Sequence, residues 1–152
     1  IERSLAMFSG HGEIAFVQPV IHPDDRDTFQ RASAAFRLLP PVFGGATRQD
    51  SVRSGLEALA ARKPDIVRIH DAARPFVTCD VISPAIEGAV AHRPAIAALP
   101  VSETVKRVVT DEASAIEESG HSGRLVEGSR RNHKITTVQD LAWMREQMER
   151  VR

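Results

Sequence analysis

The chain has 152 residues, enough for one domain but not for two full cores. Hydrophobic residues make up 42% and charged residues 26%, proportions that exclude a disordered or fibrous chain. Lys plus Arg and Asp plus Glu both total 20, so no global basic field exists to draw in nucleic acid or an anionic membrane, and any anion site has to be built locally.

Cys79 is the sole cysteine, which excludes an internal disulfide framework or a Cys-built zinc cluster and leads us to expect the cytoplasm. No apolar run approaches the ~20 residues of a membrane-spanning helix, and Ile1-Glu2-Arg3 does not open a signal peptide. With no initiator Met, the sequence is expected to start inside a longer product or to omit residues.

Glu13 to Ile21 is a β-branched apolar run that reads as a strand, stopping at His22-Pro23-Asp24-Asp25, where Pro and Asp suit a helix start. A helix is expected over about Asp24 to Arg37, with Phe29, Ala32 and Phe36 at helical spacing and Pro40-Pro41 ending it. Pro41 to Phe43 reads as a short strand. Gly44-Gly45 then breaks the pattern, and Ser51 is read as the cap of a helix whose inward face carries Val52, Leu56 and Leu59.

The unit repeats. Asp65 to His70 is strand-like, Asp71 to Pro75 a loop, and Thr78 to His92 a helix with Val81, Ile82, Ala85, Ile86 and Ala89 inward. Ala95 to Leu99 reads as a buried strand, Thr104 to Val109 as an exposed one, Asp111 to Ser119 as a short helix and Arg124 to Glu127 as another strand. Thr137-Val-Gln-Asp140 resembles a capping box opening a final helix with Leu141, Met144 and Met148 apolar. Strands alternating with helices predict an α/β fold, a mainly parallel sheet with helices on both faces, whose ligands sit beyond the carboxyl ends of the strands.

Two loops therefore draw the chemistry. Gly44-Gly45-Ala46-Thr47-Arg48-Gln-Asp-Ser51 places glycines, an Arg and a hydroxyl ahead of a helix N-terminus, which suits phosphate; taken alone it equally fits a capped turn with Arg48 in solvent. Asp71-Ala72-Ala73-Arg74-Pro75 follows a strand directly, so a carboxylate able to hold a ribose hydroxyl or Mg²⁺ stands near a guanidinium able to hold phosphate; its plainer reading is an ion pair stiffening a loop. Thr104 and Lys106 share one face of their strand, and Asn132 to Thr137 gathers donors ahead of the last helix, though neither segment stands out alone. The six histidines show no metal-ligand spacing; His70 reads as a hydrogen-bonded buried imidazole, Cys79 as core filler and Trp143 as packing.

Taken in order, Gly44-Gly-x-x-Arg48-Gln-x-Ser51-Val52, His70-Asp71-Ala-Ala-Arg74-Pro75, Leu99-Pro100-Val-x-Glu103-Thr104-Val-Lys106, Thr110-Asp111-Glu-Ala-Ser114 and Val126-Glu-Gly-x-x-x-Asn132-x-Lys134-Ile-Thr136 resemble the 2-C-methyl-D-erythritol 4-phosphate cytidylyltransferases along nearly the whole chain. The resemblance implies a Rossmann-like nucleotidyltransferase in which a polyol phosphate oxygen attacks the α-phosphorus of CTP and expels pyrophosphate, with Mg²⁺ present. It assigns Gly44, Gly45, Ala46, Arg48, Ser51, Asp71 and Ala72 to CTP. Asp71, Arg74, Thr104, Lys106, Thr110 and Lys134 go to the polyol phosphate, with Thr104, Thr110 and Lys134 completing that site across a homodimer interface. Lys134, Arg74 and Asp71 carry the catalysis, and Asp71 is the one metal contact.

Two departures accompany the resemblance. The family opens with an Ala-Ala-Gly-x-Gly loop and a Pro-Lys-Gln motif holding a catalytic Lys, whereas Ile1 to Phe8 here resembles the helix just after them. It also carries a dimerisation arm where Val109 here runs straight into Thr110, so residues 1–152 are expected to be a single domain lacking both pieces, as mobile loops left out of the sequence. Ribitol-5-phosphate cytidylyltransferase and a nonenzymatic nucleotide-binding domain are the competing readings, and a cyclodiphosphate synthase domain following Arg152 is a further one.

Overall fold

The computed structural model describes residues 1–91, 95–98, 120 and 124–150. Helix α1 (Glu2–Ser9) leads to the short strand β1 (Val20–Ile21), a 3₁₀ turn (Pro23–Asp25) and α2 (Arg26–Ser33). Strand β2 (Val42–Phe43) precedes α3 (Arg48–Ala60) and α4 (Cys79–Val90), and β3 (Ala95–Ala98), β4 (Arg124–Glu127) and α5 (Val138–Arg150) complete the order.

Both strand pairs are parallel: β1 lies beside β2 with Val20 opposite Val42, and β3 beside β4 with Ala95 opposite Arg124. Parallel neighbours need crossovers; α2 lies in the one between β1 and β2, and parallel strand pairs among helices make the expected α/β class. Helix α4 packs on β3 and β4, closely enough that a Cβ on Gly88 would stand 2.8 Å from that of Ala95.

The core follows the 3.6-residue period of the helices. Leu5 and Phe8, three apart on α1, face different clusters: Leu5 joins Ile21 and Phe29, while Phe8 joins Val77, Val81 and Ile82. Helix α1 thereby bridges the α2 side to the α4 side. On α4 the expected inward positions Val81, Ile82 and Ala85 are buried, and Gly88 joins them.

Several boundaries differ from the sequence reading. Only Val20–Ile21 of the Glu13–Ile21 run forms a ladder, and Asp65–His70 forms none. Both runs line one cavity, and a strand exists only where a neighbouring backbone completes it. Even so, residues 64 to 70 keep a period-two alternation of burial, with Val67 and Ile69 outward. The helix expected over Asp24–Arg37 starts as a 3₁₀ turn, with His22 Nδ1 accepting from the Asp24 amide, and ends at Ser33.

On α3 the buried position is Gly55, against Val20, while Leu56 is exposed, because the smooth glycine face lets the helix approach β1. Cys79 is exposed at the start of α4 and is not core filler; its thiol lies 3.7 Å from the sulfur of Met7. Met148 is likewise exposed, and α5 buries no residue fully. Leu99, the Thr104–Val109 strand and the Asp111–Ser119 helix lie outside the described residues. Among the described residues no helix is long and apolar enough to cross a membrane.

This packing separates two leucine-sized positions that share helical periodicity. Ile82, at 0% exposure, is expected to cost about 2–5 kcal/mol when replaced by Ala, whereas Leu56→Ala, at 42% exposure, stays within about 1 kcal/mol. Urea unfolding of the two variants beside the parent measures both.

Candidate active site

The glycine-rich loop is held from below and capped from above. The amide of Gly44 donates to Ile21 O at 2.9 Å, continuing the β1–β2 pairing into the loop. Thr47 is the N-cap of α3: its hydroxyl accepts from the Asp50 amide at 3.1 Å while the Asp50 carboxylate accepts from the Thr47 amide at 3.2 Å. This reciprocal capping box starts the helix earlier than the Ser51 cap expected from sequence. Ser51 instead lies in the first turn, its hydroxyl donating to Thr47 O. Gly45 is needed here, since a Cβ would meet that of Asp50, held by its cap, at 2.3 Å. Starting at Arg48, α3 brings the positive end of its dipole to the glycine-rich loop.

Arg48 reaches the second loop. Its Nη2 donates to Asp71 Oδ1 at 2.7 Å, while Asp71 Oδ2 lies 3.0 Å from Lys134 Nζ and 3.8 Å from Arg74 Nε. One carboxylate, with its side chain 20% exposed, thus serves three cationic side chains from three separate segments. Burial pushes the Asp71 carboxyl upward, but the hydrogen bonds from Arg48 and Lys134 and their charges outweigh it and hold the group below the usual carboxylate range. Asp71 is therefore ionised at neutral pH.

The Asp71–Pro75 loop is tied to the third segment by backbone. Ile135 N donates to Ala73 O at 2.8 Å, Arg74 Nη1 donates to Asn132 O at 2.9 Å, and a turn closes from Arg74 N to Asp71 O. The Arg74 carbonyl also accepts from His70 Nε2 at 3.2 Å and from Ser4 Oγ at 3.4 Å. Because a carbonyl only accepts, His70 is the neutral Nε2–H tautomer in this bond. Burial, with the neighbouring Arg68 charge, lowers the His70 pKa to about 4. The expected hydrogen bond of this imidazole is present, but the ring is half-buried where a buried one was expected.

Of the residues expected at CTP, Gly44, Gly45, Arg48, Ser51, Asp71 and Ala72 line one cavity of about 760 Å³, within the size range of small-molecule sites, and Ala46 is exposed beside it. That cavity runs on between the Ile14–Ile21 and Ile66–His70 stretches, where its apolar walls are unlike a nucleotide site. Arg74 and Lys134 approach Asp71 within the same chain, so Lys134 needs no second copy to reach it. Thr104, Lys106 and Thr110 lie outside the described residues. Sequence reasoning missed Thr47 and Asp50 as the device that aims Arg48, although the Thr-x-x-Asp spacing was available, and it missed how far Asp140 reaches. Trp143 packs as expected, edge-on to Phe76 and His133.

The described residues do not make a divalent-metal site of their own. Among the described residues no group of three or more His, Cys, Asp or Glu side chains could hold an ion, and both Asp71 oxygens already face cations.

The model of one protein family, 2-C-methyl-D-erythritol 4-phosphate cytidylyltransferase, matches residues 1–109 and 108–150. A bifunctional enzyme IspD/IspF of Nitrobacter winogradskyi is 50% identical over 125 residues, covering 82% of this chain and 31% of that protein. The bifunctional IspD/IspF of Paramagnetospirillum magneticum is 37% identical over 180 residues, covering 93% and 47%. The chain thus spans about a third to a half of the length of these relatives. A crystal structure of a 4-diphosphocytidyl-2C-methyl-D-erythritol synthase superposes with a TM-score of 0.84 at 26% identity, covering 95% of this chain and 87% of that one. The Francisella tularensis 2-C-methyl-D-erythritol 4-phosphate cytidylyltransferase gives 0.74 at 28%, covering 95% and 86%.

His70 supplies a pH dependence of stability. Its folded pKa, about 4, lies below the ordinary 6.5, so the unfolded chain binds the extra proton first and stability falls as pH drops from about 6.5 towards 4. The loss is expected to reach about 3 kcal/mol by pH 4 and to be absent from His70→Gln, relative to each protein at pH 7. Denaturant midpoints of both proteins across that range measure it.

Proposed function

The chain belongs to the 2-C-methyl-D-erythritol 4-phosphate cytidylyltransferase family, and from that premise we propose that it joins CTP to 2-C-methyl-D-erythritol 4-phosphate, giving 4-diphosphocytidyl-2-C-methyl-D-erythritol and pyrophosphate. The observation that carries this reading is the convergence of Arg48, Arg74 and Lys134 on Asp71, at the mouth of a cavity lined by the glycine-rich loop.

Phosphoryl-type transfer asks little covalent chemistry of a protein and much positioning and charge neutralisation. The attacking phosphate oxygen forms a bond to the α-phosphorus, the bond from that phosphorus to the bridging oxygen breaks, and pyrophosphate leaves with the electron pair. Arg74 and Lys134 hold the attacking phosphate and offset charge building on the α-phosphoryl oxygens. Asp71 keeps those cations aimed before substrate arrives and turns to ribose or polyol hydroxyls once the phosphates take over its partners. Gly44, Gly45, Ala46, Ser51 and Ala72 flank the nucleoside. Magnesium arrives with the triphosphate and offsets its charge. A homodimer, in which Thr104, Lys106 and Thr110 complete the polyol side, is part of the same proposal, as is the cytidylyltransferase role within a longer bifunctional protein.

Pyrophosphate release by the full polypeptide, with CTP and either 2-C-methyl-D-erythritol 4-phosphate or ribitol 5-phosphate, tests the assignment. Turnover with the methylerythritol compound is expected, and Arg74→Ala and Lys134→Ala should each lower kcat/KM by about 10²–10³-fold. Turnover with ribitol phosphate alone would move the assignment to that substrate, and none with either would refute it.

A further inference from the structure

We infer that Asp140 is a positioning residue for the reaction proposed above: it fixes the His133–Thr137 segment so that Lys134 meets Asp71. The inference rests on that functional reading for its kinetic consequence, but not for its geometry.

A capping box needs only the exchange between Thr137 and Asp140, and that exchange is present: Asp140 N donates to Thr137 Oγ1 at 3.1 Å and Thr137 N donates to Asp140 Oδ2 at 2.8 Å. Asp140 does more. Its Oδ2 also accepts from Thr136 N at 2.9 Å and from Thr136 Oγ1 at 3.0 Å, while its Oδ1 lies 2.9 Å from His133 Nε2. One carboxylate thus grips the chain immediately before Lys134 and two residues after it. The hydrogen bonds from His133, Thr136 and Thr137 keep that carboxyl well below the usual range, so it stays an acceptor at any pH near neutral.

The grip is anchored to the Asp71 side. Trp143, one turn further along α5, stands with its ring centroid 5.6 Å from His133 and 5.8 Å from Phe76, which directly follows Pro75. Asn132 O and Ile135 N, flanking Lys134, bond to Arg74 and Ala73. Lys134 therefore sits in a short segment pinned at both ends. Its flexible stem is left with little backbone freedom to spend in reaching Asp71 at 3.0 Å.

Three variants separate positioning from capping. Asp140→Asn keeps the size but turns one acceptor into a donor facing N–H groups. Thr137→Ala weakens the helix start but leaves Asp140 its hold on His133 and Thr136. His133→Phe removes one bond and keeps a ring beside Trp143. Asp140→Asn is expected to lower kcat by about 10- to 100-fold with the KM for CTP changed less than about twofold. His133→Phe should fall in the same direction by less, and Thr137→Ala should lose thermal stability without that loss of kcat.

Lys134 is also read without turnover, from its rate of acetylation by acetic anhydride relative to Lys63, followed by peptide mass spectrometry. The rate should rise several-fold in Asp140→Asn and, less, in His133→Phe, and stay at the parent value in Thr137→Ala. Equal loss of kcat in Asp140→Asn and Thr137→Ala, or unchanged Lys134 acetylation in both Asp140→Asn and His133→Phe, overturns the inference. A parent protein that releases no pyrophosphate would defeat the functional proposal while the acetylation comparison still decides the positioning role.

Discussion

The structure turns on one shared carboxylate. Three cationic side chains brought close together repel one another, and Asp71 makes their meeting stable. A partly buried carboxylate between cations is also a poor competitor for them against phosphate, which brings more charge and more acceptor oxygens. Under the proposed reaction the arrangement would be a preformed anion site with a placeholder. Its exposure, intermediate and not deep, leaves the cations within reach of a ligand.

The fold supplies three lever arms to that point. The capping box of Thr47 and Asp50 sets where α3 begins and so where Arg48 starts. The bonds from His70 and Ser4 to the Arg74 carbonyl fix the loop that holds Asp71 and Arg74 over α1. The start of α5 sets Lys134. Each arm is governed by a local, inexpensive device, a cap or a turn, and not by a large core, in keeping with the small buried clusters around Phe8 and Leu5.

Much of this was legible in the sequence where a signal is local. The α4 positions Val81, Ile82 and Ala85, the strand at Arg124–Glu127 and the Thr137-x-x-Asp140 cap follow from periodicity or spacing alone, and the structure has them. What failed depends on neighbours. Glu13–Ile21 and Asp65–His70 have strand chemistry, but a ladder needs an unbroken partner backbone, and beyond Val20–Ile21 the first run receives only single bonds, from Leu39 N to Val17 O and Val42 N to Pro19 O. Leu56 fits the helical period yet faces outward, since a glycine, which hydrophobicity does not weight, makes the close contact with Val20. Cys79 is apolar enough for a core but stands at a helix start. The site residues were found as two loops and a Lys; that they meet on a single carboxylate, and that Asp140 reaches past its own cap, are facts of three-dimensional distance that spacing does not encode.

Thermodynamic coupling between Asp71 and Lys134 tests the shared-carboxylate account most directly. In a double-mutant cycle of Asp71→Asn and Lys134→Met, read by denaturant unfolding at neutral pH and low salt, the account predicts a coupling of about 1 kcal/mol that shrinks as salt is raised. Strict additivity, within about 0.3 kcal/mol at low salt, would mean that the two groups do not hold one another and would contradict the account.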